Sequence, residues 1–222
     1  MRLFKEMCYN KETSIFMYII GITVSAILYF TGDKYDKHIA LFAFVFIQMQ
    51  IAEFFMWYDE DCKKGINNIA THSAIILLTL QPISIIIGAI IFKTTIIPNN
   101  ILYIILSVFI IVAFYTRFSN IELLQQKCSK NNIDNPHLIW DVNLCDKNHL
   151  LLVILYYLIY LIFLFFKDFN KGIMVLIILI LLLSNSLYNT TTYIREYESI
   201  WCLKSVSLPF LIILYNFIKS IL

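Results

Sequence analysis

The sequence predicts an all-α, polytopic membrane protein: a seven-transmembrane-helix bundle filling residues 1–222 as a single domain. Three observations carry that prediction. Seven apolar stretches, each long enough to cross a bilayer, account for most of the 222 residues. Hydrophobic residues make up 60% and charged residues only 14%, with a mean hydropathy of +0.77, well outside the range of ordinary soluble domains. Period-2 alternation is absent, which argues against a β-barrel.

A hydrocarbon core of about 30 Å needs roughly 17–25 helical residues. On that basis the spans fall near 14–30, 38–58, 69–92, 100–116, 149–166, 172–188 and 205–221. The first follows a short polar start without a small-residue cleavage site, so it reads as a retained helix and not as a removed signal peptide. The second carries Gln48, Gln50 and Glu53, and the third carries Pro82. The longest connection, the 117–148 loop, has room only for a small cap. Aromatic residues, 16% of the chain, gather at span ends, where Tyr and Trp sit at headgroup level, and Trp57 and Trp140 read as such anchors. The bias toward Ile, Asn, Lys, Phe and Tyr is that of AT-rich coding.

Seven spans set the two ends of the chain on opposite sides. Side A holds the N-terminus and the loops 59–68, 117–148 and 189–204; side B holds the short turns 31–37, 93–99 and 167–171 and the C-terminus. Lys and Arg are more numerous on side A but denser on side B, so the positive-inside rule is divided. All five cysteines (Cys8, Cys62, Cys128, Cys145 and Cys202) fall on side A or its tail, as does the sequon at Asn189. An oxidising compartment would let those cysteines pair, which tips the expectation toward a lumenal or extracellular N-terminus and a cytoplasmic C-terminus. The expected bridges are Cys128–Cys145, closing a loop worth about 3 kcal/mol, and Cys62–Cys202, with Cys8 left over. Free thiols are the alternative. Neither C-x-x-C nor H-x-x-x-H spacing occurs, so no metal and no cofactor is expected.

A polar seam is the candidate site. At 100° per residue, Gln50, Glu53 and Trp57 lie within about 60° of one another, whereas Gln48 points nearly opposite. A carboxylate at that depth costs a few kcal/mol unless it is paired, protonated or facing water, so this face must point inward. Glu53 lies about 9 Å of helix rise from Asp59 on side A. On the third span Asn67, Thr71 and Gln81 form a second stripe, with His72 beside Thr71, and Pro82 frees a backbone carbonyl. Both seams are expected to converge near side A. Interhelical packing is the competing use of such amides and hydroxyls, at about 0.6–2 kcal/mol each.

The run Gln50-x-x-Glu53-x-x-x-Trp57, then Asn67-x-x-Ala70-Thr71 and Gln81-Pro82, with His137-Leu138-Ile139-Trp140 and Ser199-Ile200-Trp201-Cys202 later, resembles an uncharacterised family of seven-span membrane proteins from large DNA viruses and protists. The resemblance implies the seven-span fold and a viral source, and it carries over no catalytic residue.

Four functions compete. A small ion, proton or solute channel or transporter would use Glu53 to bind a cation or carry a proton, Gln50 and Gln81 to coordinate, and His72 to relay. Pro82 and Pro209 fit a parallel three-plus-one-plus-three repeat. PQ-loop sugar carriers share the span count, but their Pro-Gln pair is reversed here and sits in a different helix. A non-catalytic membrane scaffold or assembly protein would need none of these roles. An intramembrane zinc hydrolase would draw on His72, His137, His149, Glu53 and Asp141, yet no helix supplies a His pair. A receptor lacks the expected motifs, and Lys204 and Lys219 stand at the ends of the last span, too far from its middle for retinal linkage. Enzymatic activity is therefore not expected. The partners expected are the lipid bilayer and an ion or small solute, and a net charge of +2 without a basic run argues against nucleic acid.

Overall fold

A computed structural model describes residues 10–118, 128–131, 138–139, 147–189 and 206–221; for 117–118, 130–131, 138–139, 147–150 and 186–189 it describes the backbone alone. Seven α-helices run through the described residues: α1 (Lys11–Thr31), α2 (Lys34–Tyr58), α3 (Ile66–Phe92), α4 (Asn99–Phe118), α5 (Lys147–Tyr160), α6 (Phe169–Asn189) and α7 (Ser207–Ile221). They extend or trim the expected spans by a few residues each, because polar caps and end turns lie outside the apolar windows. The fifth differs more, since α5 tightens into a 3-10 turn over Leu161–Phe165. Between α4 and α5 the strands β1 (Lys130–Asn131) and β2 (Leu138–Ile139) pair antiparallel, Lys130 opposite Ile139.

Local chemistry sets the helix ends. Asn10 accepts from the Thr13 amide at 2.8 Å and starts α1. Asp33 starts α2 with a capping box: its Oδ1 accepts from the Tyr35 and Asp36 amides at 2.8 and 2.9 Å, while Asp36 accepts from the Asp33 amide at 3.1 Å. Gly65 opens α3 at a φ of 73°, a left-handed conformation that glycine adopts without penalty.

Helix α2 is the axis of the molecule. It packs along α1 and α3 and also touches α7. Ile39, Phe42, Phe46, Met49 and Met56 are fully buried on it. Phe42 meets the rings of Tyr160 and Phe163 at the end of α5, at 5.6 and 6.2 Å between centroids. The turns after α3 and after α5 are tied by the Ile96 amide donating to the Phe165 carbonyl and the Lys167 amide to the Thr94 carbonyl, both 2.8 Å. Helices α1 to α4 are long and apolar enough to cross a membrane, and α5 to α7 contribute shorter apolar stretches. Large apolar side chains such as Phe30, Ile69, Ile111, Tyr115 and Phe217 stand exposed on the outer surface, an exterior that suits lipid far better than water.

A buried histidine, passed over in the sequence except as a span start, locks α2 to α3. His38 Nε2 lies 2.8 Å from the Ile85 carbonyl and Nδ1 2.8 Å from Thr94 Oγ1. A carbonyl only accepts, so Nε2 carries the hydrogen, and in the neutral ring Nδ1 accepts from the threonine hydroxyl. The ring fits because Gly88 has no side chain: a Cβ there would stand 2.7 Å from His38 Nε2 and closer still to Cδ2. Gly88→Ala should therefore push the ring off both partners and cost about 2–3 kcal/mol. Thermal unfolding in detergent checks this, and an unchanged Tm would contradict it.

Candidate functional site

The inward face of α2 is built as its 3.6-residue period demands. Gln50, Glu53 and Trp57 are all buried, Glu53 only 3% exposed, and Gln50 Nε2 donates to Glu53 Oε2 at 3.2 Å. Gln48, on the other face, turns its amide back onto the Phe44 carbonyl at 3.1 Å. Trp57, 9% exposed, belongs to the hydrophobic core, which corrects its reading as an interfacial anchor. Trp140 lies outside the described residues.

The α3 stripe divides. Asn67 and Thr71 are buried and hold the segment before β1. Asn67 Nδ2 donates to the Met56 and Ser129 carbonyls at 2.9 and 2.8 Å, and its Oδ1 accepts from the Ser129 amide at 2.9 Å and from Thr71 Oγ1 at 3.2 Å. Thr71 Oγ1 also lies 2.9 Å from Ser129 Oγ. These groups form a complete clamp between α2, α3 and a residue distant in sequence. His72 sits half-buried on the flank of the stripe.

Gln81 is also buried, but at another level. The Asn67 bond to Met56 and the His38 bond to Ile85 fix the antiparallel register of α2 and α3. That register sets Gln81 level with Phe42, about 12 Å of helix rise from Gln50. The expected convergence of all seven candidates near side A is therefore corrected: Gln50, Glu53, Trp57, Asn67, Thr71 and His72 share one end, and Gln81 does not. Its Oε1 instead accepts from the Tyr156 hydroxyl, which lies 2.7 Å from Tyr160 Oη. With its own hydrogen given to Gln81, the Tyr156 oxygen accepts from Tyr160. Gln50 Oε1 and Gln81 Nε2 are buried without a hydrogen-bond partner among the described residues.

Asp59 organises the turn over Glu53. Its carboxylate accepts from the Lys64 amide at 3.0 Å and the Asn67 amide at 3.1 Å. Burial by itself raises its pKa, but the amides of Lys64, Asn67, Ile66 and Lys63 together outweigh that and hold it below the ordinary 3.8. The group is thus more acidic folded than unfolded. Its contribution to stability is complete above that ordinary value and is lost as pH falls below it, through the folded value. The Tm of the native chain should drop from neutral pH to about pH 3, while that of Asp59→Asn starts lower and moves less. A pH-independent gap between them would refute the assignment.

The same turn corrects the disulfide pairing. Cys62 is joined to Cys128, with the Cα atoms 6.2 Å apart, in place of both Cys62–Cys202 and Cys128–Cys145. The cause is the clamp: Asn67 and Thr71 seat Ser129, which brings its neighbour Cys128 beside Cys62. Cys8, Cys145 and Cys202 lie outside the described residues, as do Thr190 and Thr191 of the sequon whose Asn189 ends α6.

A second charged cluster at the opposite end was missed in the sequence. Lys171 Nζ lies 2.7 Å from Asp36 Oδ1 and 3.0 Å from Asp33 Oδ2, and Asn216 Nδ2 donates to Asp36 Oδ2 at 3.0 Å. The side chains of Lys171 and Asp36 are only 6% and 4% exposed. Burial tends to raise the pKa of Asp33, but the Asp36 amide and the Lys171 ammonium bring it below its ordinary value. The spacing Asp33-x-x-Asp36 after Gly32 was the available signal, as a capping box. Among the described residues no three His, Cys, Asp or Glu side chains converge on a possible metal position; the side chains of His137, Asp141 and His149 lie outside them.

No curated protein and no solved structure matches the chain. One family profile does, over residues 12–222. Since that match covers nearly all of the sequence, the chain belongs to DUF5765, a family of unknown function.

Proposed function

We propose that the protein is a seven-span integral membrane protein that carries a cation, proton or small polar solute, with Glu53 as the binding group. One observation carries this reading: a carboxylate buried in an apolar helix, beside an amide oxygen of Gln50 that has no hydrogen-bond partner among the described residues. Together they offer acceptors to a positive charge, and a carboxylate is a costly choice for packing alone. Phe42, Phe46 and Phe163, fully buried between Glu53 and the far end of the bundle, favour a carrier that rearranges over a standing pore. The Cys62–Cys128 bridge supports an oxidising compartment on the N-terminal side, with the C-terminus cytoplasmic.

Ion and proton flux into proteoliposomes, native against Glu53→Gln, tests the reading. The amide keeps shape but not charge, and we expect flux to fall at least ten-fold, the loss of about 1.4 kcal/mol or more. Equal flux from both proteins would remove Glu53 from the pathway. The second reading, a non-catalytic membrane scaffold, is favoured by the structural engagement of Asn67, Thr71 and Gln81. No flux from either folded protein would select it.

A further inference from the structure

Where α1 ends, α2 and α6 begin and α7 ends, the bundle opens into a cleft of about 340 Å³. Its buried polar element is the Lys171–Asp36 pair. The α1–α2 turn and the start of α6 add Asp33 and Asp168, and α7 adds Tyr215 and Lys219. We propose that this cleft binds a phosphoethanolamine-type zwitterion, the headgroup of an aminophospholipid; the lipid source rests on the membrane-spanning reading above, but not on transport.

The charge pattern leads there. Lys171 is committed to Asp33 and Asp36. Asp168 spends Oδ1 on the Lys171 amide, at 3.1 Å, and makes no ion pair among the described residues. Lys219 makes none either, although it lines the same cleft. A carboxylate and an ammonium that share one space without meeting call for a ligand carrying both signs. The ligand's ammonium would sit at Asp168 and Asp33, and its phosphate at Lys219 and the Tyr215 hydroxyl. Three carboxylates (Asp33, Asp36 and Asp168) against two ammonium groups (Lys171 and Lys219) line the cleft, a balance that disfavours a net-anionic headgroup. A choline group lacks the N–H donors that the carboxylates would accept from. The position fits a lipid, because the cleft lies at the ends of apolar helices and Phe30, Phe217 and Ile218 are exposed nearby to meet acyl chains.

The test uses the full purified chain in detergent, titrated with phosphatidylethanolamine, phosphatidylglycerol and phosphatidylcholine of identical acyl chains, with binding read by native mass spectrometry. We expect phosphatidylethanolamine to bind about ten-fold more tightly than the other two. Lys219→Gln and Asp168→Asn should each reduce that preference to about two-fold. Both substitutions spare the fold: Asn retains the cap on α6, and Lys219 is exposed. Equal binding of the three lipids, or an unchanged preference in both variants, overturns the proposal. Free phosphoethanolamine that competes as well as the lipid upholds the chemistry and assigns a soluble ligand; failure to compete assigns the membrane. Flotation with liposomes through alkaline carbonate separates the two readings. Failure to float overturns the membrane assignment, whereas flotation without headgroup preference overturns the cleft alone.

Discussion

Lys171→Met is expected to destabilise the protein by about 3–5 kcal/mol. The ammonium lies 2.7 Å from Asp36 Oδ1, and both side chains are almost wholly removed from solvent. Removing it leaves the Asp36 carboxylate buried with the Asn216 amide and the Asp33 backbone amide as its remaining donors among the described residues. The loss measured is thus mainly that of stranding a charge and not the net worth of the pair. A second substitution should reveal this. Lys171→Met with Asp36→Asn removes the stranded charge and keeps a side-chain oxygen for both donors, so it should recover most of the stability. Thermal unfolding in detergent distinguishes the outcomes. A single variant as stable as the native chain, or a double variant no better than the single, would show that the pair is screened by water.

Asn67→Asp should cost about 3 kcal/mol or more. The Asn67 amide nitrogen donates to two carbonyls, of Met56 and Ser129, and its oxygen accepts from the Ser129 amide and the Thr71 hydroxyl. An aspartate has the same shape but only acceptors, so it would face two carbonyl oxygens with no hydrogen between them. The clamp on Ser129 should open even though the Cys62–Cys128 bridge still tethers the segment. Protease sensitivity within residues 117–148 should rise together with the fall in Tm. A variant that kept native stability and protection would refute the clamp, and loss of flux from it would place Asn67 in the proposed solute pathway.

The inward face of α2 was legible because it needs only one helix and its period: Gln50, Glu53 and Trp57 differ by three and four residues, and a buried carboxylate dictates which way they face. The same angular reasoning correctly turned Gln81 inward. It carried no information on height, which depends on how α2 and α3 slide against each other. The contacts of Asn67 with Met56 and of His38 with Ile85 decide that, and they part Gln81 from Glu53. Ser129 could not be found at all, because its bonds cross 62 positions of chain. The cysteine pairing failed for the same reason: spacing limits loop size, but the seating of Ser129 chooses the partner. Asp33, Asp36 and Lys171 fall in or beside the separate turns 31–37 and 167–171, and only the meeting of four helix ends makes them one cluster.

What the sequence determined alone is therefore one-dimensional: the helices, their approximate limits, and the face each must hide, all set by local hydrophobicity and the 3.6-residue repeat. The tertiary structure decided what lies opposite each face. It made Asn67 a clamp, His38 a lock between α2 and α3, and Lys171 a buried counter-ion. The physical reason is that hydrogen bonds and ion pairs act over a few ångströms in space, whatever the distance along the chain, and only packing brings such groups within reach.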